Sequence, residues 1–421
     1  MVERCLWTET APLTRLPTYP LPATTDVAII GGGYTGLAAA LALARHGADV
    51  TVLERHNLGW GASSRNGGFV LPGFKPEMEE LARMVGPERA SRMFQLSLEA
   101  MRFLERVIAE EGIACDFIRC GAVTLAAKPG HLPSLEQSSR FLRSQLGYKT
   151  ELLTGSDMAR VIGSARYHGA LLDPAGCSLQ PAKYVRGLAV AAERAGARLL
   201  EETEVVGLKR VSGGGFELET RRGTVRAGEV LAATNGYTPP ALGRLRRRVV
   251  PIGSYIIATE PLGQERAQRL IPGCRVLSDT KNLLYYFRLS PDGRMVFGGR
   301  ASFTPASPRH SAAILGAGMR EVFPELADAE IQYAWSGKVA YPMDHLPHAG
   351  QLDGVHYAMG YCGHGVALAT YLGSRMGEVL AGVGEVPDLG GKRFKAIPLF
   401  NGFPWFLPLV GGYYRARDWL S

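Results

Sequence analysis

Residues Asp26 to Glu54 read DVAIIGGGYTGLAAALALARHGADVTVLE, and the fold follows from this stretch. Asp26 to Ile30 is a short apolar, β-branched run, the pattern of a fully buried strand. Gly31, Gly33 and Gly36 then set a G-x-G-x-x-G spacing. A small-residue helix runs from about Tyr34 to Arg45, closed by His46 and Gly47, and Asp49 to Leu53 is a second apolar strand ending on Glu54. Each part has a mechanical reason. Gly31 allows a tight turn, Gly33 lets a pyrophosphate approach the backbone, and Gly36 with Ala39 and Ala40 lets the helix lie close to the sheet. The helix start offers free N–H groups and a partial positive charge. Glu54 stands 18 residues past Gly36 (54 − 36), where a carboxylate accepts hydrogen bonds from ribose hydroxyls. The glycine spacing alone is weak evidence; strand, glycines, helix, strand and terminal acid in this order indicate a Rossmann dinucleotide site. An ordinary βαβ unit with a glycine turn would leave the acid unexplained.

The chain has 421 residues, 46% hydrophobic and 20% charged, enough for two domains or one large one. Its net charge is +8, with the densest cluster at Arg244, Arg246, Arg247 and Arg248. A basic patch can attract nucleic acid or anionic lipid. No aromatic residues interleave with those arginines, so a solvated surface between two strands is the favoured reading, and no nucleic-acid partner is expected. Cys5, Cys115, Cys120, Cys177, Cys274 and Cys362 are scattered without C-x-x-C or metal spacing, which predicts reduced thiols, no metal and a cytoplasmic location. The N-terminus has no apolar signal core, and no stretch has the apolar length of a membrane span.

Residues 1–25 are Pro- and Thr-rich and are expected to drape over the surface. After Glu54 comes Gly59-Trp60-Gly61-Ala62-Ser63-Ser64-Arg65-Asn66-Gly67-Gly68, a loop with many N–H and hydroxyl donors able to wrap an extended ligand. Two helices are predicted over Leu81 to Glu111, others over Leu135 to Leu146 and from Pro181 to Ala195, with strands at Gly121 to Ala127, Thr150 to Leu153 and Tyr167 to Leu172. From Arg198 the pattern becomes a meander of short strands, ending in the apolar run Val230-Leu231-Ala232-Ala233-Thr234-Asn235-Gly236. Arg248 to Thr259, Tyr285 to Leu289, Arg294 to Phe297 and Ile331 to Ala340 suggest an antiparallel sheet forming a second domain, with a helix at Ser311 to Val322. Val355 to Met359 is a strand leading into Gly360-Tyr361-Cys362-Gly363-His364-Gly365 and a helix from Val366: a second glycine turn, at the far end of the chain. A cofactor touched by both ends of the sequence explains the pair. The aromatic, proline-rich tail from Pro398 is expected to pack on the surface or shield the site.

With these motifs in view, the chain resembles the FAD-dependent amine and D-amino-acid oxidase superfamily, which includes glycine and sarcosine oxidases, and within it the γ-glutamylputrescine oxidoreductase branch. The likeness spans nearly the whole chain and rests on DVAIIGGGYTGLAAA, GWGASSRNGG, ATNGY, YYFRLSPDGRMVFGGR, WSGKVAYPMDHLPHAG and GYCGHGVALAT, in the family's order. It implies an α/β fold: a discontinuous Rossmann-like, glutathione-reductase-like FAD-binding domain (1–85, 150–240 and 341–421) and a substrate domain built on an antiparallel β-sheet flanked by helices (86–149 and 241–340). By position it places Gly31, Gly33, Tyr34, Thr35 and Gly36 at the pyrophosphate turn, and Glu54 and Arg55 at the ribose. It runs Gly61, Ala62, Ser63, Ser64, Arg65, Asn66, Gly67 and Gly68 toward the flavin. Val205 meets the adenine; Ala233, Thr234 and Gly236 lie at a strand end beside the cofactor; Gly360, Gly363, His364, Gly365 and Val366 form the turn under the isoalloxazine ring. Covalent members carry a His where this chain has Arg65, or a Cys near Ala340, so FAD is expected without a covalent bond. Members that hold an α-carboxylate carry an Arg after W-x-G; here Trp335-Ser336-Gly337 is followed by Lys338-Val339-Ala340.

The reaction this implies takes a hydride from the carbon beside a neutral amine nitrogen and gives an imine, then an aldehyde, with oxygen or another acceptor receiving the electrons. The protein supplies positioning and electrostatics. Arg300, Tyr285, Tyr286 and His364 are the candidate catalytic residues. Tyr285 and Tyr286 point to opposite sheet faces, so one of them should face the flavin. Two alternatives stand: an α-amino-acid or N-methyl-glycine oxidase, and a flavoprotein acting on RNA.

Overall fold

The computed structural model describes residues 1–11, 16–299, 307–389 and 393–420, with backbone alone at 415, 416, 419 and 420. Two eight-stranded sheets organise the chain. The first has the order 205–210, 216–220, 223–232, 24–30, 50–53 and 198–200, with 355–359 also on 223–232 and 348–352 on 355–359. The meander 205–210, 216–220 and 223–227 is antiparallel, while the strands around Thr24–Ile30 are parallel. Val225 and Val230 belong to one continuous strand, Gly223–Ala232, rather than two. Its first half pairs with Phe216–Thr220 and its last residues with Val355–Met359 (Ala232↔Tyr357). Ile30 pairs with both Leu53 and Ala232. The carboxyl ends of these parallel strands therefore open side by side, and the turns beginning at Gly31, Ala233 and Gly360 share one rim.

The helix Tyr34–Arg45 follows the first of these turns, and Gly365–Leu380 follows the last. They pack through glycines. A Cβ on Gly373 would collide with the Thr35 carbonyl oxygen, and one on Gly377 would lie 2.7 Å from that of Ala39. The two backbones can approach this closely only because the side chains are missing there.

The second sheet has the order 331–341, 250–261, 294–299, 285–289, 276–279, 122–125, 170–173 and 151–153. It is antiparallel except between 276–279 and 122–125. The strands Glu151–Leu153 and Ala170–Asp173, expected within the FAD-binding segment 150–240, pair here through Ala122–Leu125. The helix Pro87–Glu110, expected with the substrate segment, lies instead against Gly365–Leu380: Phe103 meets Tyr371 edge-on at 5.7 Å, and the Tyr371 hydroxyl donates to Glu99. An amphipathic pattern specifies that a segment has a buried face, not which sheet or core receives it.

One face of the second sheet packs beneath the helix Pro308–Val322, around Phe287 stacked on Phe297 at 5.3 Å. The other face looks toward the first sheet. It receives Cys5, Leu6 and Trp7, which are buried there, while residues 1–4 and most of 16–24 stay at the surface. Trp7 is fully buried, 6.2 Å from Trp335 and edge-on to it, and Val2 bridges to Tyr333. The tail also has a seat: Phe400 and Leu407 pack on Val250 and Ile252, and the Asp418 carboxylate accepts from the Asn282 and Leu283 N–H groups.

Replacing Gly373 with alanine should cost about 1–3 kcal/mol, the usual penalty for an unaccommodated methyl. It should also lower flavin content, since the two turns are held together by this contact. A variant with an unchanged urea midpoint and full flavin content would contradict the packing argument.

Candidate functional site

The shared rim lines a cavity that is partly open to solvent. Gly31 leaves the first strand at φ +108°, and the Gly32 N–H donates to one Glu54 carboxylate oxygen at 2.8 Å, while the other accepts from the His56 N–H at 2.9 Å. Backbone donors therefore aim Glu54 at the end of the second strand. Gly33 sits where a Cβ would press on the Ser63 hydroxyl, which accepts from the Tyr34 N–H at 3.0 Å. Gly36 is not in the cavity wall; its missing side chain lets the helix close on the Gly31 carbonyl.

The loop after Glu54 is more ordered than a wrapping coil. Ala62–Arg65 is a helical turn, and Asn66 fixes its end by donating to the Ala62 and Ser63 carbonyls while accepting from the Gly68 N–H. Gly61, Ala62, Ser63 and Asn66 line the cavity. Ser64 and Arg65 do not: Ser64 is buried, and Arg65 lies over the Trp60 ring at 4.3 Å. Gly67 and Gly68 are spacers. A Cβ on Gly67 would touch Tyr286, and Gly68, at φ +74°, offers its carbonyl to Arg288 at 3.0 Å.

At one end, Val205 lies buried beside a register shift in its strand, with Arg55 and Glu204 next to it 3.8 Å apart. Ala233 and Thr234 line the cavity, whereas Gly236 packs against Lys338. At the other end, Gly363 (φ +95°), Gly365 and Val366 form the wall. A Cβ on Gly363 would find no atom within 4 Å, so this backbone faces open space. No side chain caps the first turn of the helix Gly365–Leu380. Gly360 is spent on structure: its N–H donates to Asn235 Oδ1 at 2.9 Å. The turn is also tied to the second sheet, where the Cys362 N–H donates to the Ala340 carbonyl at 3.2 Å.

His364 occupies the N-cap position of that helix without a side-chain capping bond, and it is outside the cavity wall. Its Nδ1 is shut off from solvent with no partner among the described residues. Burial, with the Lys75 charge adding, pushes the ring down from about 6.5 to about 4, so it is neutral at ordinary pH. The tyrosines separate. Tyr286 faces the first sheet, beside Gly67 and edge-on to Phe69 at 5.8 Å, with its hydroxyl 2.9 Å from Ser254 Oγ. Tyr285 faces away, under the helix Pro308–Val322 and beneath Lys281 at 3.6 Å. It is thus removed from the cofactor side. Arg300 lies outside the described residues.

Several wall residues escaped the sequence reading. Trp60, Asn235, Tyr237, Tyr361 and Cys362 all line the cavity, as does Val339 from the second sheet; Lys338, already singled out after Trp335-Ser336-Gly337, lines it too. The Tyr361 hydroxyl lies 2.7 Å from Thr35 Oγ1, joining the two turns directly, and the Tyr237 hydroxyl accepts from the Lys338 N–H at 2.9 Å. Their only signal was membership in the glycine-rich motifs.

Two helix starts whose own N-cap residues make no side-chain cap, an oriented acid and glycines that leave backbone bare fit an extended dinucleotide with a charged middle. Residues 26–379 match the family described as FAD dependent oxidoreductase. The chain belongs to that family. This FAD-dependent oxidoreductase is 36% identical over 406 residues to a probable oxidoreductase, OrdL, of Rhizobium meliloti, covering 93% of each chain. It is 31% identical over 409 residues to the gamma-glutamylputrescine oxidoreductase of Escherichia coli, covering 94% of each. Glycine oxidase from Geobacillus kaustophilus has the same fold, with a TM-score of 0.75 at 22% identity over 90% of this chain and 100% of that one.

The neutral His364 makes a pH signature. The unfolded chain takes up a proton on this residue near pH 6.5 and the folded one only near 4, so its contribution to stability falls as pH drops through that window. Asp279, raised to about 6 by burial, runs the other way. The difference between wild type and His364→Gln isolates the histidine. Relative to wild type, the variant should gain stability between pH 7 and pH ~4.5 in urea melts; parallel profiles would show that His364 is not held neutral.

Proposed function

We propose that the protein oxidises an amine, on the reading that its substrate is γ-glutamylated, to an imine that water converts to an aldehyde. When bound, FAD supplies the hydride acceptor. The chain holds it through Gly31, Gly33, Glu54, Ser63 and the turn Gly363–Val366. The start of the helix Gly365–Leu380 directs backbone N–H groups toward the place where negative charge grows on reduction. FAD is held without a covalent bond on this reading: Arg65 and Ala340 offer no nucleophile at the two attachment positions, and the Cys362 thiol is directed to the Gly360 carbonyl at 3.3 Å.

The observation that carries the choice of amine concerns arginines. Among the described residues of the second sheet, none brings a guanidinium to the cavity. Arg288 is buried and donates to the carbonyls of Gly68, Leu179 and Leu289, and Arg294 is engaged by Asp292 and Gln332. The positions after Trp335-Ser336-Gly337 that reach the wall are Lys338 and Val339. A site built for an α-carboxylate would want a bidentate partner there. The relationship to the gamma-glutamylputrescine oxidoreductase supports the γ-glutamyl reading, with Arg300 as the residue assigned to the distant carboxylate. Tyr286 and Ser254 are the polar pair assigned to the substrate face. Oxygen or another small acceptor completes the cycle.

Mixed anaerobically with γ-glutamyl amines, the yellow protein should bleach, and it should respond far more weakly to sarcosine, glycine or D-alanine. The reverse order would establish the α-amino-acid alternative. Denaturation should release all flavin into the supernatant. Tyr286→Phe should retain flavin yet lose about tenfold in kcat/KM, the scale of one hydrogen bond of about 1–1.5 kcal/mol; an unaffected rate would remove it from the substrate face.

A further inference from the structure

The stretch from Leu399 to Tyr413 is apolar on two sides. The inner side is used, since Phe400 and Leu407 are buried against the second sheet. The outer side is bare: Leu399 is 87% exposed, Phe403 67%, Trp405 53%, Leu409 73% and Tyr413 61%. A helix or turn that needs only one anchoring face carries polar residues on the other. Exposed apolar side chains gathered this way mark a surface that meets something.

Positive charge borders it. Leu399 and Phe400 share an open surface pocket with Arg244, Arg246 and Arg247. Arg244 pairs with Asp353 at 2.8 Å, but among the described residues Arg246 and Arg247 meet no carboxylate. From Arg393 to Ser421 the sequence has four basic residues and one acid, Asp418, whose carboxylate is already taken by the Asn282 and Leu283 N–H groups.

We propose that this surface seats the protein on an anionic lipid bilayer. The apolar side chains enter the boundary between headgroups and acyl chains, and the arginines meet the phosphates. Trp405 and Tyr413 are of the types that favour that boundary. Among the described residues no helix is long and apolar enough to cross a membrane, so the contact is peripheral. The other natural occupant is a second copy of the chain. A two-fold contact would set Arg246 and Arg247 against their own images, with no free acid in the segment to answer them. The proposal is independent of which amine is oxidised.

The test uses the full-length, flavin-loaded protein, sedimented with vesicles of phosphatidylcholine alone or mixed with phosphatidylglycerol. Partition onto the anionic vesicles should be at least about tenfold stronger and should weaken with salt. Both Phe403→Ser/Trp405→Ser/Leu409→Ser and Arg246→Gln/Arg247→Gln should lose about tenfold in partition while keeping flavin content. If the triple variant loses flavin, Trp405→Ser alone serves: brominated lipid should quench wild-type fluorescence and quench this variant less. No binding to either vesicle, equal binding to both, a dimer abolished by Trp405→Ser, or salt-sensitive RNA binding in place of lipid binding would each overturn the assignment.

Discussion

The close crossing of the helices Tyr34–Arg45 and Gly365–Leu380 is the constraint from which the site follows. Gly373 and Gly377 let the second backbone settle on Thr35 and Ala39 of the first. Because each helix begins directly after a glycine turn, bringing the helices together brings the turns together, although Gly33 and Gly363 are 330 residues apart (363 − 33). The strand Gly223–Ala232 does the same work in the sheet, pairing with both Thr24–Ile30 and Val355–Met359. A pocket for a long, charged cofactor is then a by-product of packing: bare backbone and helix starts without a side-chain cap from their own N-cap residues remain where the two crossings leave a gap.

A second set of interactions stiffens the loop beside that gap. Donors from distant parts of the chain converge on its carbonyls: Trp7 on Asn66, Trp335 on Arg65, and Arg288 on Gly68, each at 2.9–3.0 Å. Arg288 is the costly member. It is 3% exposed and faces neutral carbonyls, with no carboxylate in contact among the described residues, so burial pulls its guanidinium down to about 10. Three carbonyl acceptors and the Trp7 ring at 5.4 Å offset part of the cost of burying this cation. Arg288 thus ties the Gly68 carbonyl, which also accepts from the Leu179 N–H, to the strand Tyr285–Leu289.

The parts of this arrangement visible in the sequence are those with local chemistry. The Asp26–Glu54 unit was legible because glycine spacing, small residues and a terminal acid all sit within one supersecondary element. Alternation placed Tyr285 and Tyr286 on opposite faces, but both faces of this sheet are apolar and covered, so the pattern could not say which one looks toward the cofactor. Glu151–Leu153 and Ala170–Asp173 were recognisable as strands, yet three or four residues carry no record of their partner. Trp7, Lys338 and Arg288 were opaque for another reason: their roles depend on contacts with residues 59, 101 and 220 positions away (66 − 7, 338 − 237, 288 − 68).

The burial of Trp7 against Trp335 bears on the order of synthesis. The chain's opening residues emerge first, but the strand they bridge to, Ile331–Tyr341, emerges 328 residues later (335 − 7). At a synthesis rate of about 5–20 residues per second, that separation is on the order of tens of seconds. During that interval Trp7 can reach Asn66 and Gln180, which emerge earlier, but the Trp335 ring that completes its burial is still absent. A bulky fusion ahead of Met1 would burden this late closing step rather than the early ones.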